Sequence, residues 1–323
     1  MKLKYVDLLL KTRLLIALFK LIRAGEEFEI VRRQLPFDTK EQMTTLRILL
    51  SSIVTTSGLI IVVGFVVVAV LVWVTRDAIL PYNPYTITSA LLEPPSFTHI
   101  FGTDNLGRDV FSRLLAAAPY DAEVPVAVLA IAVALGVLTG TLAGYVGGAI
   151  EEVIMRVTDI FLAFPGLVLA LAIAASLGPG INNSILALAP VWWPTYTRLA
   201  RGDTLSIKSR QFIEASRASG HKTIYIIIHH LIPNVIPLLL VYATIDFGNV
   251  ILTFSVLSFL GVGAQAPTPE WGLITVQQEQ FLLSAPWSPI LPALAILIVA
   301  LAFSLLGDGL RDALDPKIRS LYG

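Results

Sequence analysis

The apolar stretch from Leu231 to Val262 carries a polar set at Tyr242, Asp246, Asn249 and Thr253. They stand at i, i+4, i+7 and i+11, a spacing that places them on one face of an α-helix. A carboxylate, an amide and two hydroxyls in one stripe can orient a polar solute by hydrogen bonding. They can equally hold a neighbouring helix. Asp246 is costly against lipid, so the stripe must face protein or a water-filled cavity. Both a solute pathway and a buried contact with another element meet that condition.

Other combinations offer less. His229 and His230 are adjacent, so on a helix they point apart, and neither has a carboxylate or histidine at i+3 or i+4. No metal site is expected there. "GTDNLGRD" has the glycine spacing of a phosphate loop, but Arg108 and Asp109 stand where Lys and Ser/Thr are needed. Gly102 and Gly107 read as turn residues, and "GVGAQA" begins no dinucleotide-binding unit. No Ser–His–Asp order and no H-E-x-x-H appears, and the chain is expected to be non-catalytic. Cysteine is absent, which excludes disulfides and thiolate chemistry.

The elements that position these residues follow from composition. The 323 residues are 55% hydrophobic and 14% charged, against roughly 25% charged in soluble domains. Runs of about 20 apolar residues span a bilayer, so the chain reads as an all-α polytopic membrane protein. The runs do not alternate apolar and polar residues, which excludes a transmembrane barrel. Zero net charge suggests no nucleic-acid partner. Interleaved Lys and Arg near the N-terminus argue against a cleavable signal peptide.

Six spans are expected, near 51–74, 123–145, 153–177 (broken at Pro165–Gly166), 182–200, 231–262 and 289–306. The fifth is too long for one straight perpendicular helix and predicts a tilt or break. Segment 1–50 is basic and amphipathic, suited to an interfacial helix or a cytosolic tail. Segment 51–75 is the first span, 76–121 an external proline-rich loop, 122–310 a membrane core and 311–323 a tail. Within the external loop, a short helix capped by Thr103 or Asp104 is expected. It would pair Asp104 with Arg108 and Asp109 with Arg113, turning Leu106, Val110, Phe111 and Leu114 to the membrane. Arg156 and Asp159 are expected to pair at i,i+3. Gly136, Gly140 and Gly144 form a small-residue ladder for tight helix packing. Ser288–Pro289 and Gly307–Gly309 are expected to mark the ends of the sixth span. Lys and Arg crowd residues 1–50, the 198–222 region and the tail, and are absent from 264–288. By that bias the termini and the 201–222 loop are cytoplasmic.

That loop carries "SIKSRQFIEAS", which has good helix formers, followed by Gly220 as a natural stop. Phe212, Ile213, Ala215, Ser216 and Ala218 offer a small apolar surface that a partner can approach. "EASRASG", nine residues and "HLIP" resemble the EAA signature of permease subunits in binding-protein-dependent ABC importers. Glu214, Ala215, Gly220 and Pro233 match in register, whereas Ser216, His230 and Ile232 depart from it. "FGTDNLGRDVFSRLL", "YTRLARGDTLSIKSRQFIEASRASG", "LSFLGVGAQAPTPEWG" and "LGDGLRDALDPKIR" are similar to the dipeptide, oligopeptide and nickel branch of that family. "PYDAEVPV" departs from it.

The resemblance implies the type I importer fold and a division of labour. A homologous second permease completes the pathway, two ATPases bind ATP and Mg, and an external binding protein delivers the solute. This chain itself would need no cofactor, and would lie in the cell membrane among lipid. Phe212, Ile213, Glu214, Ala215, Ser216, Ala218 and Gly220 would form the coupling helix, with Glu214 bonding a basic group of an ATPase. Peptides are the implied solute, with oligosaccharides or nickel complexes as alternatives. A stand-alone secondary transporter would need an inverted repeat, which is not evident. A structural anchor would need neither broken spans nor a polar stripe.

Overall fold

The computed structural model describes residues 49–76 and 78–314, and the readings for 1–48 and the end of the tail lie outside them. Residues Leu49–Asp312 form one compact unit. Its regular elements are helical: α1 (Ile53–Thr75), α2 (Val110–Val146), α3 (Gly148–Leu162), α4 (Gly166–Leu177), α5 (Ile181–Ile207), α6 (Gln211–Ala218), α7 (Thr223–Ile226), a π-turn (Ile227–Leu231), α8 (Ile232–Phe259), α9 (Trp271–Gln278), a 3-10 turn (Glu279–Phe281) and α10 (Trp287–Leu314). Residues 78–109, between α1 and α2, are mostly turns and bends.

Among the described residues, four helical stretches are long and apolar enough to cross a membrane: α1, α2, Thr223–Phe259 and α10. The pair α3 and α4, bent by 87°, qualifies as a fifth. The bend falls at Pro165, where the helix loses a donor. The expected fourth span, α5, is a helix of 27 residues, but its polar composition keeps it out of that set. It is shielded by protein instead: Ala187, Leu188, Tyr196 and Ala200 are fully buried.

The glycine ladder explains the shielding. A Cβ at Gly136, Gly140 or Gly144 would overlap Tyr196, Thr197, Ala200 or Thr204 of α5. Three glycines on one face let the two backbones meet, and such close packing drives helix association in lipid. Elsewhere Phe65 of α1, Phe247 of α8, Phe303 of α10 and Trp271 of α9 form one aromatic cluster. Its ring centroids lie 6.3 Å (Phe65–Phe247), 6.2 Å (Phe65–Phe303), 5.6 Å (Phe65–Trp271) and 3.7 Å (Phe247–Phe303) apart.

Several expected boundaries are corrected. The second span begins at Val110, so the boundary at 121/122 falls inside one helix that carries Pro119 and Pro125. Prolines are tolerated in membrane helices because neighbours satisfy the freed carbonyls. The cap is Asp109, accepting from Ser112 N at 2.7 Å, and not Thr103 or Asp104. Val110 is buried, not turned to the membrane. The expected break in the fifth span is the π-turn before Pro233. Proline cannot donate to the carbonyl four residues back, and a widened turn relieves that conflict. The 264–288 loop holds α9, capped by Glu270. The last helix runs through Gly307 and Gly309 to Leu314. These glycines are close contacts with Ile245 and Thr55, not helix stops.

Candidate functional site

Helix α5 continues to Ile207, so the exposed turn begins only at Lys208, later than the expected loop start at 201. Arg201 is drawn into an ion pair with Glu151 of α3, and Lys208 Nζ donates to Gly144 O at 2.8 Å. Helix α6 follows. Gly220, at φ +81°, ends it as expected. Its N–H reaches Arg217 O at 2.9 Å and that of His221 reaches Ser216 O at 3.3 Å, which is the Schellman arrangement.

The structure sorts the seven expected coupling residues into two groups. Phe212, Glu214, Ala215, Ala218 and Gly220 are exposed. Ile213 and Ser216 are buried in the chain itself, which corrects their assignment to a partner surface. They lie three residues apart, on the inner face of a short helix. Glu214 forms no ion pair among the described residues.

Helix α6 is braced from beneath. Arg217 Nε donates to Tyr145 Oη of α2 at 3.1 Å, with the guanidinium carbon 4.9 Å from the ring centroid. Phe212 meets His230 edge-on at 6.2 Å. Tyr225 stacks between His221 and His229, at 4.3 and 4.2 Å. The two histidines therefore belong to ring packing, and the described residues hold no cluster able to bind a metal. These contacts join α6 to the end of α2 and to the start of Thr223–Phe259.

The polar stripe is a second feature. Asp246 Oδ2 accepts from the hydroxyl of Tyr196 at 2.9 Å, and Oδ1 accepts from Asn249 Nδ2 at 3.3 Å. Thr253 spends its hydroxyl on Asn249 O at 2.7 Å. Tyr242 is half-buried on the same helix, with Asp246 and Thr253 also half-buried and Asn249 exposed. Sequence reasoning missed Tyr196. Its position on α5 opposite the ladder is the signal, since Gly136 packs against it.

Residues 96–113 form a compact polar turn at the opposite end of α2 from α6. Asp104 Oδ1 accepts from Leu106 N and Arg108 N, both at 2.9 Å, while Oδ2 accepts from Arg108 Nε at 2.7 Å. The expected Asp104–Arg108 pair is thus present. Arg113 instead lies 3.7 Å from Asp104, and Asp109 pairs with His99 at 2.8 Å. Gly102 and Gly107 both have φ +70°, as turn residues. Asp159 pairs with Arg198 of α5 at 2.6 Å and not with Arg156, which meets Glu152 at 3.7 Å. A residue on a neighbouring helix outcompetes the one three positions back.

A buried acid pair also escaped the sequence. Glu270 caps α9 by accepting from Gly272 N at 2.9 Å and Leu273 N at 2.7 Å. Asp121 of α2 accepts from Trp271 N at 3.2 Å, and the two carboxyl groups touch. Burial pushes the Glu270 carboxyl above its ordinary range.

The described residues thus form a helical bundle apolar enough to span a membrane, with a braced, exposed helix at one end. Residues 136–320 match the family described as binding-protein-dependent transport system inner membrane component. The chain is 43% identical over 264 residues to the dipeptide transport system permease protein DppC of Alkalihalophilus pseudofirmus, covering 81% of this chain and 86% of that protein. It is 44% identical over 257 residues to the glutathione transport system permease protein GsiD of Escherichia coli, covering 79% and 85%. The same figures hold for GsiD of Shigella boydii. The chain belongs to the binding-protein-dependent transport system inner membrane component family. It is a multi-pass permease subunit of an ABC transport system.

Proposed function

We propose that this permease forms half of the pathway of an ATP-driven peptide importer in the cell membrane. The observation that carries the solute class is the pair of relatives named for dipeptide and glutathione transport. A homologous permease supplies the other half, two ATPases bind ATP and Mg, and an external binding protein delivers the peptide. The chain itself holds no cofactor and hydrolyses nothing.

Helix α6 docks in a groove on an ATPase in the cytoplasm, with both termini on the same side. Phe212, Ala215 and Ala218 make the apolar contact, and Glu214 pairs with a basic group at the groove's rim. Exposure of these side chains and the free carboxylate of Glu214 support that assignment. Nucleotide must stabilise one pathway orientation over the other, because only a differential interaction shifts such an equilibrium. The brace from Arg217 to Tyr145 supplies the rigid link. The face bearing Tyr242, Asp246, Asn249 and Thr253 lines the pathway.

The experiment is uptake of a labelled dipeptide into proteoliposomes holding the complete importer. ATP-dependent accumulation that Gly220→Pro or Glu214→Lys abolishes supports the reading. Undiminished uptake in both variants contradicts it.

A further inference from the structure

Asp246 lies midway along α8, about 20 Å of helix from either end at 1.5 Å per residue. A carboxylate at that depth needs partners. Those it has are neutral: the Tyr196 hydroxyl at 2.9 Å, the Asn249 amide at 3.3 Å and the side chain of Trp192. Among the described residues, no Lys, Arg or His forms an ion pair with it. An indole N–H can only donate, and the carboxylate is the acceptor for all three groups.

The result is an oriented carboxyl group that no cation among the described residues pairs with. A carboxylate offers about four acceptor sites, and three neutral donors leave room for one more. The open side is marked by Asn249, which is exposed beside it. An ammonium matches what is missing: it brings positive charge and up to three N–H donors. Aromatic rings also favour a cation close by, and two of the three fixed partners are aromatic. A sugar hydroxyl brings no charge, and a neutral amide cannot compensate one.

We propose that the Asp246 carboxylate, aimed by Tyr196, Trp192 and Asn249, binds the protonated amine of the transported peptide during passage. This rests on the peptide-importer reading given above.

The test uses the complete importer in proteoliposomes, with a free-amine peptide and its N-acetylated analogue, both first shown to bind the external binding protein. The wild type is expected to favour the free amine. Asp246→Asn keeps the shape and an acceptor for Tyr196 but removes the charge. It is expected to lower free-amine uptake about tenfold and uptake of the acetylated peptide by much less. Asp246→Glu, which restores the charge, should retain the preference. Equal loss for both peptides, or failure of the two permeases to pair, assigns Asp246 to the contact between subunits and overturns the proposal. An unchanged preference in Asp246→Asn overturns it as well. Should the wild type carry neither peptide, the importer reading itself fails, which is a separate and recognisable result.

Discussion

Arg217 lies over the ring of Tyr145, its guanidinium carbon 4.9 Å from the centroid and its Nε donating to the hydroxyl at 3.1 Å. One residue belongs to the short exposed helix and the other to the end of α2. Their contact joins a surface element to the membrane bundle, and the proposed coupling makes that element a lever. Removing it should uncouple the lever without dissolving the bundle. An exposed cation–π contact is worth about 0.5–1 kcal/mol, and a hydrogen bond to a charged group about 1.5–3 kcal/mol. Arg217→Ala is expected to cut ATP-driven uptake more than Tyr145→Phe, which keeps the ring. Both complexes should assemble normally on a sizing column.

The glycine ladder gives a sharper contrast. Gly140→Leu places a side chain against Thr197 and Ala200 and should abolish stable accumulation of the permease. Overpacking a tight contact costs about 1–3 kcal/mol or more. Gly202, also in α5, has open space at its Cβ position. Gly202→Ala should therefore be neutral or gain about 0.5–1 kcal/mol in thermal unfolding.

The turn around Asp104 should be a point of fragility. Asp104→Ala removes an acceptor from two backbone amides and leaves the buried Arg108 without its carboxylate. Breaking a buried pair from one side costs about 3–5 kcal/mol. Protease cleavage between residues 78 and 109 should rise in this variant. The double change Asp104→Ala with Arg108→Leu should recover part of the loss.

Glu270 predicts a pH dependence whose sign is set by burial. Its folded pKa lies above the ordinary 4.5, so the native state holds a proton that the unfolded chain releases. Stability is therefore fullest below that ordinary value. It declines as pH rises toward the folded pKa, by about 1.4 kcal/mol per pH unit while the difference lasts. Glu270→Gln should flatten this decline in thermal melts of the detergent-solubilised protein. A steeper decline in the variant would contradict the assignment.

Much of this was legible in the sequence because local physics decided it. Apolar runs gave every expected span but the fourth, α5, Gly220 gave the end of α6, and the ladder at Gly136, Gly140 and Gly144 gave a contact face. The start of α2 was not legible, because Pro119 reads as the end of a loop until neighbouring helices surround it. The inward turn of Ile213 and Ser216 was readable from their spacing but depends on what lies beneath. Contacts across long separations were closed to sequence reasoning. Tyr196 and Asp246 are fifty residues apart, and Asp121 meets the α9 N-terminus across 150 residues. The ladder opposite Tyr196 hints at the first, and no local pattern announces the second.

The most direct test of the lever is a crosslink. The chain has no cysteine, so Ala215→Cys introduces a single exposed thiol on α6, with Ile213→Cys as the buried control. During ATP-driven uptake, the thiol at 215 should crosslink to an ATPase subunit in a yield that changes with nucleotide, and the one at 213 should not. Labelling of position 215 by solvent or lipid reagents alone, while uptake proceeds at full rate, would contradict the coupling role of this helix.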